Sequence, residues 1–150
     1  MAQTLVSLNV HIIFSTRNRG NLIVPEIEPD LFSYIGGILN NNKSKLLEAN
    51  GTSDHIHLLI SLSKNLGLSE LVGDIKRDSS VWIKKQDAQF SSFHLQDGYG
   101  AFSIGQSQIK TVKDYIVKQK IKYKQVDFKT EFRGFLRKYE IEFDERYVWD

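Results

Sequence analysis

Two kinds of apolar spacing alternate along this chain, and their order narrows the folds open to it. Period-two alternation rich in β-branched residues marks a strand in TLVSLNVHIIFS (4–15); KLLEANG (45–51) and HIHLLISL (55–62) read as two strands joined by a short turn, and GYGAFSI (98–104) as a fourth after a glycine-rich turn. Helical spacing marks LFSYIGGILNNN (31–42), LSELVGDIKRDSSVWIKKQ (68–86), a segment from about Ser107 to Lys124, and another from about Phe128 to Tyr139. Both prolines fall in RNRGNLIVPEIEPD, a loop between the first strand and the first helix. The order is strand, helix, strand, strand, helix, strand, then appended helices. It predicts an α+β fold of the ferredoxin-like split βαβ type, a four-stranded antiparallel sheet with helices on one face plus C-terminal helices. A chain of 150 residues, 41% of them apolar, suffices for the core of one such domain, and a single domain over 1–150 is expected. That layout selects no activity by itself.

The composition excludes several classes of function. Without cysteine there is no disulfide, no thiolate metal centre and no thiol nucleophile. No apolar run approaches membrane-spanning length, and MAQTLVSLNV lacks the basic and apolar regions of a signal peptide. A cytoplasmic protein with no membrane partner is expected. The formal charge of +2 is too small to imply nucleic acid, but its distribution is uneven. Between Ile109 and Lys138 lysines and arginines dominate, opposed only by Asp114, Asp127 and Glu131. Such a stretch suits phosphate, but charge alone favours a solvated helix face.

Two of the four histidines stand one residue apart in SDHIHLLIS (53–61). Side chains alternate across a strand, so His55 and His57 share one face while Ile56, Leu58 and Ile60 take the other. Two imidazoles so spaced converge above the sheet, as a pair of metal ligands would, or as an inert hydrogen-bonded pair. A third donor has to come from elsewhere. His11 on the first strand and His94 before GYG could each approach the pair, with a structural role the readier account of both. In the helix from Ser107, Ile109, Val112 and Ile116 form an apolar stripe. Tyr115 and Gln119 stand one turn apart beside it. Gln119 would complete a His-His-Gln set, with Tyr115 as an oxygen nucleophile close to the metal; the alternative is a packing tyrosine with its hydroxyl in water. A phenol is a poor nucleophile at neutral pH unless it is held in line with its target.

Taken in order, NVHIIFSTRNR, DHIHLLI, GYGAFS and YIVKQ resemble the HUH single-tyrosine transposases, which include the REP-associated tyrosine transposases. The resemblance runs from about Leu5 to Trp149. It implies a metal-dependent enzyme that cleaves and rejoins single-stranded DNA at hairpin-bearing ends through a 5′-phosphotyrosine intermediate. By position it makes Tyr115 the nucleophile and His55, His57 and Gln119 the metal ligands. It also implies a homodimer with sheets joined edge to edge, in which the tyrosine helix of one subunit can serve the other. Imidazole by itself favours Zn²⁺, Ni²⁺ or Cu²⁺; the resemblance implies Mg²⁺ or Mn²⁺, with Mn²⁺ the tighter. Where relatives often carry tryptophan before the glutamine of FHLQDGYG, this chain has Leu95.

Arg17, Arg19, Lys76, Arg77, Lys118 and Lys122 are candidate DNA contacts, and Tyr99 and Phe102 candidate stacking platforms, with core packing the better account of Phe102. Two other functions fit the same residues. One is a domesticated protein of this fold that binds hairpin DNA or RNA without cutting it. The other is a zinc hydrolase, for which Glu48 on the neighbouring strand would supply the further ligand.

Overall fold

The computed structural model describes residues 2–122 and 125–150. Strand β1 (Asn9–Ser15) leads through a loop to helix α1 (Glu28–Asn41). Strands β2 (Lys45–Gly51) and β3 (His55–Ser61) form a hairpin, followed by α2 (Leu68–Gln86) and β4 (Gly100–Ile104). Three helices close the chain: α3 (Ile109–Val117), the single turn α4 (Gln119–Lys122) and α5 (Phe128–Lys138). The strands form one antiparallel sheet in the order β2-β3-β1-β4, the split βαβ arrangement expected from the element order.

Strand alternation gives the sheet two apolar faces. Ile12, Phe14, Ile56, Leu58 and Ile60 turn to one side and pack with Leu31, Ile35 and Leu39 of α1 and Leu71, Val72 and Ile75 of α2. Each such side chain, fully buried, contributes about 1.5–3 kcal/mol. On the other side Ile13 and Phe102 pack with Phe128, Phe132 and Leu136 of α5, and Leu59 and Ile104 with Ile116 of α3. The C-terminal helices therefore cover the second face, and the sheet lies between two helical layers. That face also carries the histidines, which are consequently buried. The register sets Ile13 opposite His57 and Ser15 opposite His55, so all four point to the same layer.

Gly100 decides how closely that layer can approach. A Cβ there would lie 2.8 Å from Cζ of Phe132, inside van der Waals contact. The absence of a side chain lets α5 settle on β4.

Several boundaries differ from the sequence reading for local reasons. β1 begins at Asn9 rather than Thr4, since residues 2–8 have no strand beside them beyond the bond from Leu62 N to Leu8 O. α1 starts at Glu28, three residues early, with Pro29 in its first turn, where a missing N–H costs nothing. The helix expected over 107–124 stops at Val117. The N–H of Lys118 folds back on the carbonyls of Asp114 and Tyr115, and Asn50 Nδ2 donates to the free carbonyls of Ile116 and Val117, both at 3.0 Å. Its expected end at Lys124 lies outside the described residues. Among those described, no helix is long and apolar enough to cross a membrane.

Candidate functional site

Side chains from four elements meet where α3, α4 and α5 cross β3. His55 and His57 come from β3, Tyr115 from α3, Gln119 from α4 and Glu131 from α5. His55, His57 and Gln119 are almost fully buried. Glu131 joins the set: His57 Nε2 lies 3.0 Å from its Oε1, and Gln119 Nε2 donates to its Oε2 at 3.0 Å. Tyr115 Oη donates a short hydrogen bond to the same Oε2. His55 Nε2 is 3.6 Å from Oε1.

Elementary donor and acceptor rules fix most of the protons. Asp54 Oδ1 lies 2.7 Å from His55 Nδ1, and an ionised carboxylate only accepts, so this nitrogen carries hydrogen. Thr52 Oγ1 donates to the same carboxylate at 2.9 Å. Because Gln119 Nε2 donates to Glu131, its Oε1 turns to His55 Nε2, 3.0 Å away. In a neutral His55 these facing atoms are both electron-pair donors, an arrangement that suits a shared cation. One potential ligand atom each from His55, His57 and Glu131 lies within 4.8 Å of the other two, and this is the one such group among the described residues. Two imidazole nitrogens with carboxylate and amide oxygens fit a divalent cation of mixed N/O preference.

Electrostatics follow from burial and from the one carboxylate. Burial alone would raise the Glu131 carboxyl, but the bonds from His57, Tyr115 and Gln119 outweigh it and hold it at about 2. Burial, and then the Glu131 charge, push the phenol of Tyr115 well above its ordinary value. Burial lowers His57 against the pull of Glu131. His11 is lowered to about 3 by burial and then by His57, whose Nδ1 lies 2.8 Å from its Nε2.

A cavity of about 340 Å³ opens beside Tyr115 and Glu131, between α3 and α5. Val126 and Phe135 form part of its wall, with Lys122 and Lys138 at its edge. Lys122 Nζ stands 5.2 Å from the centre of the Tyr115 ring.

The structure thus brings together Tyr115, His55, His57 and Gln119, all four named from sequence, and does so within one chain. It adds Glu131, which the sequence reading named only among the three acids opposing the basic run. A signal was present: Glu131 follows Phe128 by three and precedes Phe135 by four, which puts a carboxylate on the apolar stripe of α5. Glu48 is corrected. It lines a groove with Phe32, Ser33 and Gly36 of α1, apart from the histidines. His94 is exposed and lines a different groove with α2, while His11 joins the pair.

The candidate DNA contacts scatter. Lys118 and Lys122 are exposed near Tyr115. Arg19 Nη1 donates to the Trp149 carbonyl at 2.8 Å, and Arg17 is exposed beside it. Lys76 and Arg77 lie on α2, behind the sheet from the histidines. Lys76 donates to the carbonyls of Asp97 and Gly98, and burial lowers it to about 8; Arg77 pairs with Asp74 and Asp78. Phe102 is buried and stacked on Phe135 and Tyr139, a core role, and Tyr99 packs at the edge of the α1–α2 core. Leu95 is buried and bridges to Thr16.

Known proteins resemble this chain along most of its length. A transposase of the insertion sequence element IS200 from Salmonella typhimurium is 26% identical over 124 residues, covering 79% of this chain and 81% of the relative. The Salmonella typhi protein of the same description matches equally. Among solved structures, a REP-associated tyrosine transposase bound to a REP hairpin superposes with a TM-score of 0.63 at 14% identity, covering 84% of this chain and 74% of that one. A candidate transposase from Deinococcus radiodurans gives 0.60 at 18% identity, covering 79% and 95%. At those identities the likeness concerns the fold. The family described as "Transposase IS200 like" matches residues 4–119, a segment that ends at Gln119 and leaves Glu131 outside it. On that match, the chain belongs to the IS200-like transposase family.

Proposed function

We propose that this transposase cleaves and rejoins single-stranded DNA at hairpin-bearing element ends through a phosphotyrosine at Tyr115. The observation that carries the reading is the convergence of Tyr115 Oη, His57 Nε2 and the Gln119 amide on one carboxylate, with His55 alongside. Tyr115 Oη attacks the phosphorus. The Tyr O–P bond forms, the P–O3′ bond breaks, and the strand before the break leaves with a 3′-hydroxyl. Glu131, which already accepts the phenolic hydrogen bond, takes the proton, and the leaving 3′-oxygen takes one from solvent. The bond energy stays in the phosphotyrosine, so the reverse attack by a 3′-hydroxyl rejoins DNA without a nucleotide cofactor.

His55, His57, Gln119 and Glu131 would hold Mg²⁺ or Mn²⁺. When bound, such an ion polarises the phosphodiester and stabilises charge on the leaving oxygen. Asp54 orients His55 for this task.

The cavity between α3 and α5 is the route for the strand, with Lys118 and Lys122 at the phosphates beside the break. Arg17 and Arg19, and Lys76 and Arg77 behind the sheet, would meet phosphates further away. The REP hairpin bound by the structural neighbour supports a hairpin partner here as well. Two copies would associate through sheet edges β2 or β4, and sedimentation measures that directly.

The test is cleavage of a pool of labelled hairpin-bearing oligonucleotides, single-stranded or fully duplex, with Mn²⁺ or with chelator. Cleavage of the single-stranded pool alone, lost with chelator and in His57→Ala, supports the reading. Tight binding with no cleavage of any member would favour the non-cutting hairpin binder.

A further inference from the structure

The two histidines of β3 are held differently at the nitrogens that face away from the site. His55 Nδ1 meets Asp54, which only accepts, so a neutral His55 has one tautomer and turns a lone pair to the site. His57 Nδ1 meets His11 Nε2 at 2.8 Å, and an imidazole nitrogen either donates or accepts. His57 Nε2 lies 3.0 Å from a carboxylate oxygen of Glu131, so here it carries the hydrogen. Nδ1 is then the acceptor, and His11 Nε2 the donor. To serve as a ligand, His57 Nε2 has to give that hydrogen up. A carboxylate at position 11 would suit only the liganded state, and an ammonium only the present one. Histidine suits both.

We propose that His11 is a positioning residue that reverses its hydrogen bond to His57 when a divalent cation is bound, so that His57 changes tautomer while both rings stay neutral. This rests on His57 being a metal ligand, as read above. The protons balance. The one on His57 Nε2 leaves through Glu131 to solvent, the one on His11 Nε2 passes to His57 Nδ1, and His11 Nδ1 takes one from solvent. Each ring ends with one proton, as it began. His55 undergoes no such change, which makes it the fixed ligand of the pair and His57 the switchable one. The aromatic walls around His11, formed by Phe102, Phe135 and Tyr115, hold the ring in place for the exchange.

Long-range proton–nitrogen NMR on the labelled full chain reads each tautomer. The metal-free protein should carry hydrogen on Nε2 of His11 and His57 and on Nδ1 of His55. Saturation with Mg²⁺, or with Zn²⁺ as a second diamagnetic probe, should move both His11 and His57 to the Nδ1 form and leave His55 as it was. Cation-dependent shifts at His55 Nε2 and His57 Nε2 with His11 unchanged overturn the switch and leave the metal reading standing. No shift at His55 or His57 with either ion overturns the metal reading, and the switch with it. Independently, His11→Phe should weaken Mn²⁺ binding, measured by electron paramagnetic resonance, by about 10–100-fold. His11→Gln, whose amide both donates and accepts, should retain most of the affinity and serves if the phenylalanine variant fails to fold. Unchanged affinity in a folded His11→Phe overturns the proposal.

Discussion

Tyr115 donates its phenolic hydrogen to Glu131, a carboxylate on a helix sixteen residues further along the chain. The bond joins α3, which carries the proposed nucleophile, to α5, which lies beyond the segment matched by the family. Glu131 also receives Gln119 and lies against His57, so one side chain ties together everything the site needs.

Tyr115→Phe removes the attacking oxygen and keeps the ring that packs against Phe135 and His57. Strand cleavage should fall by on the order of 10⁴-fold or more, the scale of nucleophile removal in other covalent enzymes. DNA binding, measured by gel shift, should be little changed.

Glu131→Gln removes the charge that, after burial, does most to hold the Tyr115 phenol up. The phenol should therefore titrate at lower pH in the variant, as followed by ultraviolet absorbance. Mn²⁺ affinity should fall at the same time, since a carboxylate ligand is lost. A lowered phenol with unchanged Mn²⁺ affinity would make Glu131 a proton acceptor and not a ligand.

Stability should depend on acid in two windows. His11 sits at about 3 in the fold against an ordinary 6.5, and His57 is lowered too. The unfolded chain takes up these protons first, so their stabilising contribution is complete above 6.5 and is lost as the pH falls toward 3. Each proton so withheld costs about 1.4 kcal/mol per pH unit. Glu131, held at about 2 against 4.5, acts lower: its contribution is complete above 4.5 and lost as the pH falls through 2. Urea unfolding across pH 7 to 5 should show the histidine slope alone, and His11→Phe should make it shallower.

Gly100→Ala sets a methyl against the ring of buried Phe132. Overpacking of this kind costs about 1–3 kcal/mol. Because the strain falls where α5 seats on β4, thermal unfolding should drop and Mn²⁺ binding should weaken with it through displaced Glu131.

The sheet was legible in the sequence because the first strand is rich in β-branched residues and KLLEANG and HIHLLIS are short apolar runs with a brief turn between them. Helix α2 was legible to the residue because Leu68, Leu71, Val72 and Ile75 repeat at helical spacing. The limits of α3 were not, since what ends it is Asn50, a side chain from β2 that local periodicity does not register. The histidine pair, Tyr115 and Gln119 carry a spacing that is visible along the chain. Glu131 does not: its role arises only when α5 folds back over the second face, and Lys129, Thr130 and Arg133 around it give it the look of an exposed residue. Asp54 and His11 touch the histidine rings of β3, and that contact exists only in the folded sheet.

The central claim is that Tyr115 becomes covalently joined to DNA. The direct measurement is incubation with labelled single-stranded hairpin DNA and Mn²⁺, denaturing electrophoresis, and peptide mapping of any adduct by mass spectrometry. The account predicts a 5′-phosphate linked to the peptide containing Tyr115 and no adduct in Tyr115→Phe. Cleaved DNA without an adduct, or an adduct that persists in Tyr115→Phe, would contradict it.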